Sequence, residues 1–221
     1  MAQKPRVKAP SQRSAPRTDD GGRNRRIVYL VAGIGATLAA VAALVALVGF
    51  GSEKDPRGAL EAAGCTLETV PGVSRAHLDD PAARPEAWTS FPPTTGPHFV
   101  TPAVYGFYDE PVELARILHG LEHGGVYMLY GPRAPSGTAE ALRAIYDRDP
   151  RGFVVAPLPA LGKTIALGAW TSDSSGEDEL GTGYLAKCAS VDADAFNEFV
   201  DAYRGRGPEG TPLDLLRPGS T

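Results

Sequence analysis

Several motifs and residue types are scarce or missing in this 221-residue chain, and each absence narrows its range of functions. Only two cysteines are present, and they do not form a C-x-x-C pair, so a redox-active dithiol is not indicated. The sequence also lacks G-x-S-x-G, a phosphate-binding loop and a glycine-rich dinucleotide turn. None of the enzyme classes that carry those motifs is therefore indicated.

Charge is missing from one long stretch, residues 27–50. The chain as a whole has 22 Lys+Arg and 26 Asp+Glu, but residues 1–26 contain eight basic and two acidic residues, a balance of +6. Residues 51–221 hold the remaining 14 basic and 24 acidic residues, a balance of −10. This partition argues against a one-piece cytosolic protein, a nucleic-acid binder built on a basic fold and a many-helix transporter.

The uncharged stretch is dominated by Ala, Val, Leu and Ile. As a helix it would span roughly 36 Å, which is enough to cross a hydrocarbon core of about 30 Å. A cleaved signal peptide would have a shorter apolar run and small residues at its cleavage site, whereas Gly51-Ser52-Glu53 follows here. We therefore predict an uncleaved single-pass transmembrane helix, with the lipid bilayer as its partner.

The flanking charges predict the orientation of this helix. Arg23, Arg25 and Arg26 precede it, so the positive-inside rule places the N-terminus in the cytoplasm and the C-terminal body outside the plasma membrane. We expect five parts: a disordered basic arm at 1–26, the membrane helix at 27–50, a juxtamembrane linker or short helix at 51–62, an extracytoplasmic domain at 63–209 and a flexible tail at 210–221.

The two cysteines, Cys65 and Cys188, both lie in the expected outer domain, where a disulfide is chemically allowed. Their link would remove about 4–5 kcal/mol of unfolded-chain entropy, because it closes a loop of more than a hundred residues. Two buried free thiols or a thiolate metal ligand are the alternatives. We predict the structural disulfide.

Hydrophobic periodicity and turn residues predict one α+β domain of about 150 residues, large enough for its own core. Many prolines make residues 71–102 irregular. The pattern from residue 126 to residue 204 also suits the second half of a thioredoxin-like fold. Helices are expected from Pro56 to Gly64, over 111–123, from Ser136 to Asp149, and from Asp192 or Asp194 to Gly205; strands are expected at 65–70, 126–130, 153–156, 164–171 and 183–189.

All four histidines, His77, His98, His119 and His123, fall within one short part of the chain. His119 and His123 are four residues apart on an expected helix, so both rings would project from one face. Glu122 leans the same way, and the proline-rich loop before His98 would present a third imidazole. This imidazole-rich set suits a zinc or copper ion.

Two other interpretations of these histidines remain open. They could be structural groups near a helix C-terminus, where positive charge is favoured by roughly 0.3–1 kcal/mol. The run from His119 to His123 also spells H-x-x-E-H, the motif of inverted zincin peptidases, with Glu122 activating water. The short helix and the lack of a second ligand helix count against that peptidase, and we do not expect an enzyme.

Three runs together resemble a known family: Pro92-Pro93-Thr94-Thr95-Gly96-Pro97-His98, then Gly106-Phe107-Tyr108, then His119-Gly120-Leu121-Glu122-His123-Gly124. The chain is similar to bacterial proteins of the domain of unknown function 3105 family. The resemblance continues through Cys65, His77 and Cys188. It implies a single-pass membrane protein with an outward domain, and it implies no reaction.

The leading hypothesis is thus a membrane-anchored domain that binds a transition metal through His98, His119 and His123, with His77 or Glu122 as a fourth ligand. The alternative is a non-enzymatic module with structural histidines whose partner is another envelope protein. A zinc metallohydrolase is the third hypothesis.

Overall fold

A computed structural model describes residues 55–79, 88–172 and 179–221. The expected basic arm at 1–26 and the expected membrane helix at 27–50 lie outside these residues. Within the described ranges, no helix is both long enough and apolar enough to cross a membrane.

The described residues form an α+β domain, as the sequence predicts. Its helices are α1 (Arg57–Ala62), α2 (Leu114–Glu122), α3 (Thr138–Arg148) and α4 (Ala193–Tyr203), and two 3₁₀ turns lie at Pro159–Leu161 and Leu213–Leu215. Its strands are β1 (Thr66–Pro71), β2 (His77–Leu78), β3 (His98–Phe99), β4 (Gly106–Phe107), β5 (Val126–Tyr130), β6 (Phe153–Pro157), β7 (Ile165–Thr171) and β8 (Thr182–Cys188).

Six strands form one mixed sheet in the order β1-β8-β7-β5-β6-β4. Strand β6 pairs in parallel with β5 and with β4, while the other neighbours are antiparallel. The central strands are continuous apolar runs, and β6 and β7 are buried along almost their whole length. Strands with this composition are typical of a sheet that is covered on both faces.

Alternate residues of β5 separate the two layers of the core. Val126 and Met128 face a cluster that α1, α3 and α4 complete, whereas Tyr127 and Leu129 face a second cluster that includes α2. This separation follows from the period of two along a strand. We call the first layer the apolar face and the second the α2 face.

Helix α4 shows how local sequence defines an element. The side chain of Asp192 accepts hydrogen bonds from the backbone N–H groups of Asp194 and Ala195, so Asp192 is the N-cap. Phe196 and Phe199 are fully buried on the apolar face. Helix α3 is different, because it begins at Thr138 after a left-handed glycine and has no side-chain cap, although Ser136 is the expected cap.

The predicted disulfide is confirmed. The sulfur atoms of Cys65 and Cys188 are 1.99 Å apart, and both residues are buried on the apolar face. The antiparallel register that places Thr66 opposite Lys187 brings the two cysteines together at the end of the β1–β8 ladder. Both alternatives, free thiols and a thiolate metal ligand, are thereby excluded.

Two expectations need correction. The segment expected to be irregular, 71–102, contains β2 and β3, which pair with each other as a separate two-stranded sheet. The tail expected to be flexible also packs on the domain, because Leu216 is buried and the backbone of Ser220 pairs with that of Tyr105.

The segment expected as a linker or short helix contains α1. Leu60 in this helix is fully buried in the core of the apolar face. Residues 57–62 are therefore a packed part of the domain.

Candidate metal centre

The small parallel sheet places the first two histidines side by side. In the register of β2 and β3, His77 lies directly opposite His98, and Leu78 lies opposite Phe99. The ring centroids of the two histidines are 4.8 Å apart. Two segments separated by about twenty residues of proline-rich sequence therefore converge at one point.

Helix α2 supplies two further groups. His119 and Glu122 are three residues apart, so both side chains lie on one face of the helix. The ring of His119 lies 4.8 Å from the rings of both His77 and His98. The helix is held in place at Gly120, whose carbonyl oxygen accepts a hydrogen bond of 2.8 Å from the hydroxyl of Tyr105.

Four donor groups consequently meet at one point. One ligand atom from each of His77, His98, His119 and Glu122 lies within 4.8 Å of the others. His98, His119 and Glu122 are buried, whereas 42% of the His77 side chain is exposed. The group thus lies at the edge of the core, with one side open to solvent.

Backbone carbonyl groups set the tautomer of two rings. The Nδ1 of His98 lies 2.9 Å from the carbonyl oxygen of Gly96, and the Nδ1 of His119 lies 2.6 Å from that of Phe99. A carbonyl oxygen can only accept, so each Nδ1 carries the proton. The Nε2 of each ring is then the atom that a metal ion would use, as in metal sites whose histidines are oriented by a second hydrogen bond.

The carboxylate of Glu122 is divided between two roles. Its Oε1 accepts a hydrogen bond of 2.5 Å from the Nε of Arg75. Its Oε2 lies 3.0 Å from the Nε2 of His98 and 3.6 Å from the Nε2 of His77. One carboxylate oxygen is therefore fixed by an arginine, and the other faces the imidazoles.

Electrostatics favour the anionic form of Glu122 and the neutral form of His119. Burial raises the pKa of Glu122, but the hydrogen bonds and charges of His98 and Arg75 outweigh burial and lower that pKa to about 2. Burial also lowers the pKa of His119, and the neighbouring histidines lower it further, against the opposing effect of the Phe99 carbonyl. At neutral pH, Glu122 is therefore an anion and His119 a neutral imidazole.

His123 does not belong to the group of four. Its Nε2 faces the Oε2 of Glu209 at 3.1 Å, although its ring centroid is only 4.7 Å from that of His119. His123 is the C-cap residue of α2, where the chain turns toward Gly124 and leaves the helix. The structure groups His77 with His98 and His119, whereas the leading sequence hypothesis has His123 in that place.

The peptidase interpretation of H-x-x-E-H does not match this geometry. That mechanism uses His119 and His123 as zinc ligands and leaves Glu122 free to activate water. Here Glu122 lies inside the group of four and is bonded to Arg75 and His98, while His123 faces Glu209.

The sequence did not predict two charged residues, Arg75 and Glu209, that contact the group of four or its neighbour His123. Arg75 donates a hydrogen bond to Glu122. The Oε1 of Glu209 lies 3.8 Å from an Nη of Arg75, and its Oε2 faces His123. Arg75 is two residues before His77 and lies in the irregular segment that leads into β2. Glu209 carries no local sequence signal, because its position depends on a long-range contact with the end of α2.

The comparisons with known proteins are consistent with the resemblance noted in the sequence. Residues 82–214 match the family described as Protein of unknown function (DUF3105). No curated protein and no solved structure matches the chain. The match includes His98, His119, Glu122 and Cys188 and covers more than half of the sequence. The chain therefore belongs to the DUF3105 family.

Proposed function

We propose that this protein binds one divalent transition metal ion, zinc or copper, through His77, His98, His119 and Glu122. The observation that carries the proposal is the convergence of four donor atoms within 4.8 Å of one another. Three of the four groups are buried and held by a second hydrogen bond, which is how proteins orient metal ligands.

The distances suit a four-coordinate ion. Bonds of about 2.0–2.1 Å in a tetrahedral site place the donors about 3.3 Å apart. The separations of Glu122 Oε2 from His98 Nε2 and from His77 Nε2 are 3.0 and 3.6 Å, one on each side of that value. The remaining donor atoms lie within 4.8 Å of one another, so a bound ion would draw them closer together.

The charges also suit a cation. A hydrogen bond of 3.0 Å joins His98 Nε2 to Glu122 Oε2. An unprotonated Nε2 and a carboxylate oxygen can both only accept, so this bond requires a proton between the two atoms. A metal ion displaces such a proton when it binds, so its affinity depends on pH. Three imidazole nitrogens and one carboxylate oxygen form a ligand set that zinc and copper accept.

A second candidate function is a module for interaction with another envelope protein, with structural histidines. It is favoured by one observation: among the described residues, every buried side-chain nitrogen and oxygen has a hydrogen-bond partner. The polar cluster is therefore satisfied by the protein alone. Measured metal content separates the two candidates.

We also propose a cellular location for the domain. The uncharged segment 27–50 and the arginines before it support a membrane anchor with the domain outside the cell. The Cys65–Cys188 disulfide is consistent with an oxidising compartment. Deleting residues 27–50 should move the protein from the membrane fraction to the soluble fraction, and an unchanged distribution would contradict the anchor.

We also propose a thioredoxin-like arrangement for the second half of the domain. The strand order β8-β7-β5-β6, with β5 and β6 parallel and the other two pairs antiparallel, supports it. Helix α3 connects β5 to β6, and α4 follows β8. The likeness concerns the fold alone and carries no thiol chemistry, because the chain has no C-x-x-C.

The test of metal binding is metal analysis of the full-length protein, purified in detergent and reloaded with Zn²⁺ or Cu²⁺. One ion per chain is expected in the wild type and none in the His98→Ala/His119→Ala double variant. His123→Ala is the matched control, since it removes a nearby histidine outside the group of four, and it should retain the ion. No metal above background in the wild type would refute the proposal.

A further inference from the structure

The four donor groups are not held equally. His98 and His119 each direct Nδ1 to a backbone carbonyl oxygen, and Glu122 is bonded to Arg75. In the described part of the chain, no hydrogen bond holds the Nδ1 of His77, whose contacts are with Glu122 and the neighbouring rings. The orientation of His77 is thus the least restrained.

His77 also differs from the other three groups in its exposure to solvent. Its side chain is 42% exposed, whereas that of His98 is completely buried and that of Glu122 is 1% exposed. A ligand on the solvent side can leave the ion without opening the core, while the other three cannot.

The backbone that carries His77 is also weakly attached. Strand β2 has only two residues, and at its ends the backbone bonds are those from His98 N to Ala76 O at 3.1 Å and from Val100 N to Leu78 O at 3.5 Å. A segment with few and long backbone bonds opens at low free-energy cost. Helix α2, in contrast, is buried along most of its length.

Resting on the metal binding proposed above, we propose that His77 is the exchangeable ligand of the centre and that its coordination position accepts an external imidazole-type nitrogen donor. His98, His119 and Glu122 form the permanent part of the site. The ion enters and leaves on the His77 side, where an imidazole from outside the chain takes the place of His77.

The neighbouring charge selects the class of external donor. The position of His77 Nε2 is 3.6 Å from Oε2 of Glu122. A second anion there would be repelled by this carboxylate, whereas a neutral imidazole would not. The ring of His77 itself lies 4.8 Å from the rings of His98 and His119, so an external imidazole of the same size would fit in its place.

The test uses full-length protein loaded with Co²⁺, whose visible absorption reports tetrahedral coordination by nitrogen and oxygen. His77→Ala should still bind the ion, with an affinity lower by about 10–100-fold, comparable to losing an outer-layer contact. Millimolar imidazole should restore most of that affinity and the tetrahedral spectrum. His98→Ala and His119→Ala should lose more than about 100-fold and should not respond to imidazole, because their positions are buried.

The outcomes distinguish this inference from the metal-binding proposal. If the wild type binds no Co²⁺ or Zn²⁺, the metal-binding proposal fails and the exchange fails with it. If the wild type binds but His77→Ala loses as much affinity as His98→Ala, or imidazole has no effect, only the exchange is overturned. His123→Ala serves again as the control and should bind like the wild type, while circular dichroism of each metal-free variant checks folding.

Discussion

The two faces of the six-stranded sheet are both covered, but by different kinds of contact. On the apolar face, α1, α3 and α4 pack through hydrocarbon side chains, and a disulfide joins the residue before β1 to the last residue of β8. On the α2 face, an apolar layer ends at three buried polar groups and an exposed histidine. The first face is completed by apolar contacts and a covalent bond, whereas the second ends in polar groups that bond to one another at the edge of the core.

This difference separates a structural bond from a candidate binding site. The disulfide and the group of four both link segments that are distant in sequence. The disulfide does so covalently, while the histidines and Glu122 do so through hydrogen bonds and close contacts that the proposed metal ion would replace. Four changes test the comparison, in order of decreasing effect on stability.

Removing the disulfide should have the largest effect. We expect Cys65→Ser/Cys188→Ser to lower the free energy of unfolding by about 2–5 kcal/mol, because the unfolded chain regains the freedom that the link removes. Urea unfolding followed by circular dichroism measures this loss. Reductant should weaken the wild type to a similar degree and leave the double variant unchanged; equal midpoints for both oxidised proteins would contradict the prediction.

Removing the charge of Glu122 should destabilise the metal-free α2 face. Its pKa is about 2 in the folded protein and 4.5 in the reference state, a difference worth about 3 kcal/mol. Because the folded pKa is the lower one, this stabilisation is complete above about pH 4.5 and is lost as pH falls toward 2. Glu122→Gln should therefore be less stable by about 3 kcal/mol at pH 7.

The pH profile of the same variant tests the cause. In chemical unfolding between pH 7 and pH 2, the gap between wild type and Glu122→Gln should narrow below pH 4.5. Glu140→Gln, which changes an exposed glutamate on α3, is the matched control and should follow the wild type throughout. A gap that stays constant down to pH 2 would show that packing, not charge, is responsible.

Metal should stabilise the α2 face by a slightly smaller amount. With free Zn²⁺ at about 100 times its dissociation constant, binding to the folded state alone adds about 2.7 kcal/mol. Thermal unfolding with and without Zn²⁺ should show this increase in the wild type and in His123→Ala. The His98→Ala/His119→Ala variant should show none, and an equal increase there would mean that the ion binds elsewhere.

The ion pairs at the edge of the apolar face should contribute least. The Arg151 hydrogen bond, against the effect of burial and with help from Arg204, lowers the pKa of Asp149 to about 2. Asp149 is nevertheless about one-third exposed, so we expect Asp149→Asn to cost less than about 1 kcal/mol. If Asp149→Asn lowered the free energy of unfolding in urea as much as Glu122→Gln does, charged groups would stabilise the two faces equally, and the prediction would be wrong.

Much of the fold could be predicted because local signals were strong. The apolar run at Val126–Tyr130 is β5, Asp192 is the cap of α4, and the glycines after α2 end that helix. These features depend on neighbouring residues only. The packed tail was missed because the burial of Leu216 depends on contacts that lie far away in sequence.

The candidate site could be predicted in part for the same reason. His119 and Glu122 share a helix face through their spacing, and the family motifs include His98. The choice between His77 and His123 depends on the pairing of two-residue strands and on Glu209. Strands of two residues have no hydrophobic pattern of their own, so β2 and β3 could not be predicted from the neighbouring sequence.

The segment after α4 has a consequence for the order in which the chain is made. The backbone N–H of Gly205 bonds to the carbonyl of Gly124, and that of Glu209 bonds to the carbonyl of Glu122. Gly207 passes so close to Gly124 that no Cβ would fit there. All four donor groups thus leave the ribosome before the residues that fix the end of α2. A chain interrupted after Arg204 would contain the four donor groups but would lack the backbone bonds from Gly205 and Glu209 that hold the end of α2 in place.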